Sequence, residues 1–147
     1  MKPDDVTEKE VMDVLSKFAD CYSKRDIEGL MSLIASDPDI VLFSLDTEGN
    51  HIGLDEIKTQ FEREWSQFEA ASIEFNWTSI SAAGAVAWVS ANFLYTVTIK
   101  GHNVIFTCYV TIILEKRGDR WIMVHGHYSV PVVEQPHSDV EQHLSQL

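Results

Sequence analysis

Positive charge is scarce in this sequence: 11 lysines and arginines stand against 23 aspartates and glutamates over 147 residues, a formal net charge of −12. A surface of that sign repels phosphate backbones and anionic headgroups, so no nucleic acid and no membrane is expected as a partner. Cysteine is scarcer still. Cys21 and Cys108 are the only two, and their separation matches no zinc or redox motif, so free thiols packed as small apolar residues in a reducing compartment are expected. No apolar run reaches the ~18 residues a spanning helix needs, and the polar opening MKPDDVTEKE lacks the apolar stretch of a secretory leader. Together these absences lead to the expectation of a soluble, cytoplasmic protein. No glycine-rich phosphate loop occurs and Ser129 has no nucleophile-elbow context, which removes nucleotide binding and hydrolase chemistry from consideration.

What remains is about one domain's worth of chain with well-marked periodicities. We read 1–147 as a single domain with a core over about 6–131. From Asp4 or Asp5 as N-cap, Val11, Leu15, Phe18 and Tyr22 recur at helical spacing, with Val14 and Cys21 beside them. Asp26 caps a second, shorter helix through Ile27, Leu30, Met31 and Ile34, stopped before Pro38. IVLFSLD (40–46) reads as a strand ending in the turn-forming TEGN, and LDEIKTQFEREW restores helical spacing through Leu54, Ile57, Phe61 and Trp65. From Ser72 the period falls to two. Four long strands separated by SAAG, KGHN and GD predict an antiparallel meander, and helices before a sheet predict an α+β domain with the helices on one face of a curved antiparallel sheet. In the tail, 132–147, Ser138 or Asp139 is expected to cap a short helix.

The stretch RWIMVHGHYSVP (120–131) carries two histidines two residues apart. With Gly118 and Asp119 as the hairpin turn, strand alternation pairs Lys116 with Trp121, Leu114 with Met123, Ile112 with His125 and Val110 with His127. Both imidazoles then face the core beside Phe106 and Cys108, while Tyr109, Thr111, Glu115 and Tyr128 take the outer face. A neutral imidazole on a core face needs partners for its donor and its acceptor. His127 is therefore a candidate acid or base in a cavity, with His125 or Asn92 polarising the substrate, or else a core histidine bonded to helix backbone or to Ser129. A metal reading would need a third ligand from Asp46, His51 or a glutamate, and no metal is expected. With SAAG as a turn, Trp77 pairs with Trp88 and Phe75 with Ser90 on a face that includes Asn92, and carrying the register onward sets Asn92 opposite Thr111. Trp77, Trp88, Asn92, Ser129 and Phe43 complete the candidate ligand-binding set, although large aromatics at core-compatible positions also serve simply as packing.

The segments YSKRDIEGLMSLIASDPDIVLFS, GLDEIKTQFEREW, AAGAVAWVSANF and VTIILEKRGDRWIMVHGHYSVP, in that order, resemble the SnoaL-like branch of the nuclear transport factor 2-like (NTF2-like) superfamily from about Val11 to Pro131. The resemblance implies a cone-shaped NTF2-like, or cystatin-like, fold: a bent sheet around a cavity closed by helices, often paired through its outer face. It implies an internal apolar pocket for a small organic molecule, aromatic or polycyclic, no cofactor, and a homodimer. Isomerases, cyclases and dehydratases occur among such relatives, as do non-catalytic association modules, for which the outer face with Tyr109, Thr111 and Tyr128 would serve. Ketosteroid isomerases carry a tyrosine acid in the first helix and an aspartate base near the first strand. Here Phe18 and a residue near Phe43 align there, so steroid isomerase chemistry is not implied.

Overall fold

In the computed structural model, residues 1–45 and 50–131 are described. Helix α1 spans Asp5–Ser23, with Asp4 as N-cap accepting from the Thr7 amide at 2.7 Å, and α2 spans Ile27–Met31, capped by Asp26, which accepts from the Gly29 amide at 3.0 Å. These side-chain caps satisfy amides that the first turn of a helix leaves without partners. Short strands β1 (Val41–Phe43) and β2 (Asn50–Ile52) precede α3 (Leu54–Gln67), which starts after Gly53 in the left-handed region at φ 82°. Four long strands follow: β3 (Ala70–Ala83), β4 (Val86–Ile99), β5 (His102–Arg117) and β6 (Arg120–Ser129). The expected tail helix and the TEGN turn, apart from Asn50, lie outside the described residues.

The six strands form one sheet in the order β2-β1-β6-β5-β4-β3. The meander β3 to β6 is antiparallel as expected, but β1 lies parallel to β6 and β2 is an additional strand hairpinned onto β1. Helices cover one face. Val11, Leu15 and Phe18 of α1 and Ile57, Phe61 and Trp65 of α3 pack into a core shared with Val89, Phe93, Val110, Ile112 and Leu114 of the sheet. Arg25, between α1 and α2, donates from Nη2 to the carbonyls of Phe68 (2.6 Å) and Glu69 (3.0 Å), tying the α3–β3 junction to the first helix pair.

Three registers differ from the sequence reading, each for a local reason. The β3–β4 turn is the two residues Gly84 and Ala85, with Ala83 opposite Val86, so Ser81 rather than Trp77 faces Trp88. Gly84, at φ 58°, supplies the positive φ that a two-residue hairpin needs. The β4–β5 turn is Lys100 and Gly101, both at positive φ, which sets Asn92 opposite Tyr109 rather than Thr111. Gly118 and Asp119 do make the last hairpin, and Lys116–Trp121 and Leu114–Met123 pair as expected. There the agreement ends. A bulge makes Val124 an extra residue, so Ile113 faces His125, Ile112 faces Gly126, Thr111 faces His127 and Val110 faces Tyr128.

One inserted residue moves every later side chain to the opposite face. His125 and His127 therefore lie on the outer face of the sheet and Tyr128 on the helix-covered face, the reverse of both expectations. Gly126, between the histidines, pairs with Leu42 of β1, and a Cβ there would stand 2.8 Å from Leu42 Cδ1. A second bulge, at Asn76 in β3, likewise separates Phe75, which turns inward, from Trp77, which turns outward.

Candidate functional site

Between the helices and the inner face of the sheet lies an open-mouthed cavity of about 280 Å³. That is near the lower end of the ~300–1,000 Å³ range of small-molecule sites. Phe18, Phe61, Phe68, Phe93 and Phe106 give it aromatic walls, and the partly exposed Leu45 and Phe106 stand at its rim. Its polar groups are Tyr22 of α1, Gln60, Glu64 and Gln67 of α3, Tyr95 of β4, Tyr128 of β6 and Ser44, which follows β1. A second void, beside His125 and Gly126, measures only about 20 Å³ and is walled almost entirely by apolar residues, which suits packing slack rather than a ligand.

The polar groups are ordered by hydrogen bonds. Tyr22 Oη donates to Glu64 Oε2 at 2.8 Å, and the hydroxyls of Tyr22 and Tyr95 are 2.7 Å apart. A carboxylate only accepts, so the single Tyr22 proton is committed to Glu64 and Tyr95 must be the donor to Tyr22. A directed chain results, Tyr95 to Tyr22 to Glu64. Gln60 Nε2 adds a donor to Glu64 Oε1 at 3.2 Å. The helical period makes this arrangement possible: Gln60 and Glu64 sit one turn apart, alongside the buried Phe61 and Trp65. Ring contacts hold Tyr22 in place, with Trp65 at 5.6 Å and Phe61 and Tyr95 each at 6.0 Å between centroids.

Burial sets the protonation of the phenols. It raises Tyr22 far above the ordinary phenol range, reinforced by the Glu64 charge, and the same two influences raise Tyr128. Burial also lifts Tyr95 to about 12, partly opposed by its bond to Tyr22. All three remain neutral donors across the physiological range. The sign of the stability effect follows: these folded-state pKa values exceed the unfolded value of about 10, so the contribution is intact below pH 10 and is lost as pH rises from there through about 12 for Tyr95. An alkaline titration followed at 295 nm and by circular dichroism should show the three buried phenols ionising together with unfolding. Complete tyrosinate formation with a midpoint near 10 and an intact dichroism spectrum would contradict this geometry.

None of the residues expected to form the site borders the larger cavity. Trp77, Trp88, Asn92, His125, His127, Ser129 and Phe43 all lie on the outer face, Trp77 and the three β6 residues because of the two bulges, Trp88 and Asn92 through the unbroken alternation of β4. There the Phe43 ring sits 5.1 Å from that of His127 and 6.1 Å from that of His125. His51, considered as a third metal ligand, is buried on the opposite face from that pair, 3.2 Å from Ser44 Oγ, and Asp46 lies outside the described residues. No group of three potential metal ligands occurs among the described residues. Cys108 is buried and reduced, its thiol pushed up to about 11 by desolvation, and Cys21 is also free.

A family model for the SnoaL-like domain matches residues 11–133. The chain belongs to the SnoaL-like family. No curated protein matches it. Among solved structures similar to this SnoaL-like chain is a nuclear transport factor 2-like superfamily protein from Salmonella enterica serovar Typhimurium, at 17% identity and TM-score 0.79, covering 90% of this chain and 96% of that one. A proposed dehydratase of the NTF2-like family from Streptomyces avermitilis superposes at TM-score 0.78 and 15% identity, over 89% of this chain and 100% of the other. A proposed calcium/calmodulin-dependent protein kinase II association domain from Xanthomonas campestris does so at 0.73 and 19%, over 83% and 86%. These likenesses establish the fold. No helix among the described residues of this SnoaL-like protein is long and apolar enough to cross a membrane.

Proposed function

We propose that the cavity binds a small ring-containing organic molecule and moves a proton on it, as in an isomerisation, cyclisation or dehydration. The observation that carries this reading is Glu64, held by Tyr22 and Gln60 inside an aromatic-walled cavity of ligand size. A carboxylate fixed by two donors is a positioned base, and the neutral Tyr128 hydroxyl is a donor for an oxygen on which charge develops. The similar structure described as a proposed dehydratase agrees with a lyase or isomerase chemistry of this kind. A thermal-shift screen of hydroxylated naphthalenes and ring ketones tests it. A ligand at 100 times its Kd stabilises the fold by about 2.7 kcal/mol, so a rise of about 9 °C is expected for a chain of this size. No rise with any member of the panel at saturation would end the reading.

A second reading concerns the outer sheet face, and charge favours it. Three neighbouring rows cross that face: Trp77–Asn92–Tyr109–Ser129, Ser79–Ser90–Thr111–His127–Phe43 and Ser81–Trp88–Ile113–His125–Val41. None contains Asp, Glu, Lys or Arg, yet the chain carries a net charge of −12. Two copies of so acidic a protein meet with least repulsion through a surface free of carboxylates. Trp77 and Tyr109 are 54% and 46% exposed, aromatic anchors of the type that dominate interfaces. The occupant is a second copy of this chain, a homodimer, in keeping with a similar structure described as a proposed association domain.

A further inference from the structure

The two histidines of β6 stand within the uncharged rows of the outer sheet face. His127 is exposed and His125 half-buried, and the ring of Phe43 contacts both imidazoles. In these rows, among the described residues, β1, β2, β3 and β4 place no ionisable side chain, and β5 places only Tyr109. Charged groups begin outside the rows. Glu115 lies one row beyond Ile113 and accepts from Arg117 Nε at 3.4 Å, while Arg117 also grips Asp37 at 2.7 Å. Arg120, opposite Arg117, donates to the Ser32 carbonyl at 2.9 Å, and Glu74 stands three strands away on the edge strand β3. The imidazoles are thus the groups of this face whose charge changes near neutral pH.

We propose that self-association through this face is gated by protonation of His125 and His127: the dimer forms with neutral imidazoles and separates as they become charged. The inference rests on the homodimer reading given above. A neutral imidazole brings one donor and one acceptor into an interface. An imidazolium must give up its hydration there, with no carboxylate in the surrounding rows of either copy to replace it. The Phe43 contacts exist within a single chain, so they favour neither state of assembly. An ordinary imidazole takes up its proton near pH 6.5. The dimer is therefore fully stable above that pH and weakens as pH falls through it. Overall charge acts in the opposite direction: acidification reduces the magnitude of the −12 net charge and with it the repulsion between copies.

The test measures the dimer Kd by fluorescence-detected sedimentation of a dilution series at constant ionic strength, at about pH 7.5 and about pH 5.5, with circular dichroism confirming the fold at both. One histidine per chain that must stay neutral counts twice in a symmetric dimer, so Kd should rise about 100-fold on acidification. His125→Gln/His127→Gln removes the titrating groups and should lose that rise. His102→Gln, at the exposed start of β5, should keep it. A wild-type Kd that stays constant or falls on acidification would overturn the gate and leave the dimer standing. So would a rise that survives in the double variant. A chain that is monomeric at both pH values, or a dimer that Tyr109→Glu leaves intact, would overturn the homodimer reading and this one with it. Should the double variant fail to fold, the wild-type response still decides, because overall charge predicts a change of the opposite sign.

Discussion

Glu64→Gln should fold normally and lower turnover by about 10²- to 10⁴-fold on a substrate identified through the ligand screen, the usual contribution of a positioned acid or base. The geometry supports both halves of that expectation. A glutamine oxygen can still accept from Tyr22, whose hydroxyl lies 2.8 Å from the carboxylate, so the ring packing around Tyr22 has no cause to change. What disappears is the group that takes the proton. Binding should change far less than kcat, since the aromatic walls are untouched, and the pH dependence of kcat on its acid side should vanish with the carboxylate. Steady-state kinetics on wild type, Glu64→Gln and Glu64→Asp separate the cases. Full activity in Glu64→Gln would remove Glu64 from the chemistry and leave the cavity as a binding site alone.

Tyr109→Glu should convert a dimer into a monomer. Tyr109 lies in a central strand between Asn92 and Ser129, and two-fold symmetry presents each substitution twice. If each buried tyrosine contributes as a hot spot of about 2 kcal/mol, two losses weaken association by about 10³-fold, before repulsion between the new carboxylates is added. Light scattering at micromolar concentration should give the dimer mass for wild type and the monomer mass for the variant, with an unchanged circular dichroism spectrum. A monomeric wild type, or a dimeric Tyr109→Glu, would show that the outer face is not the self-association surface. Tyr128→Glu is a contrasting control: Tyr128 is on the helix-covered face, so the substitution should damage the cavity and the core rather than the interface.

The helices were legible because their signals are local. Asp4 and Asp26 each cap the helix they precede, and the spacing of Val11, Leu15, Phe18 and Tyr22 matches a buried stripe that the structure retains. The face of β5 was legible for the same reason, through strict alternation. Registers were not, because they turn on single residues: whether a hairpin uses two residues or four, and whether Asn76 and Val124 are paired or extra. The polar cluster went unread for a different reason. Tyr22 was counted with the core stripe as an apolar residue, although its hydroxyl needed a partner. Gln60 and Glu64, interleaved at i and i+4 with Ile57, Phe61 and Trp65, were the available signal, since polar residues on the buried side of an amphipathic helix imply something polar to meet.

The bulge at Val124 gives β6 a property resembling a reading frame. The order His-Gly-His-Tyr is written once in the chain, and whether the imidazoles or the phenol face the helices depends on one spacer residue just before it. Removing Val124 would exchange the two sets, giving the cavity two titratable imidazoles and handing Tyr128 to the exposed surface. All of this would happen with no other side chain altered. Relatives of this fold can therefore diverge in chemistry and in self-association at the same moment, through a gain or loss of one residue that conserves composition almost completely and that substitution-by-substitution comparison would pass over.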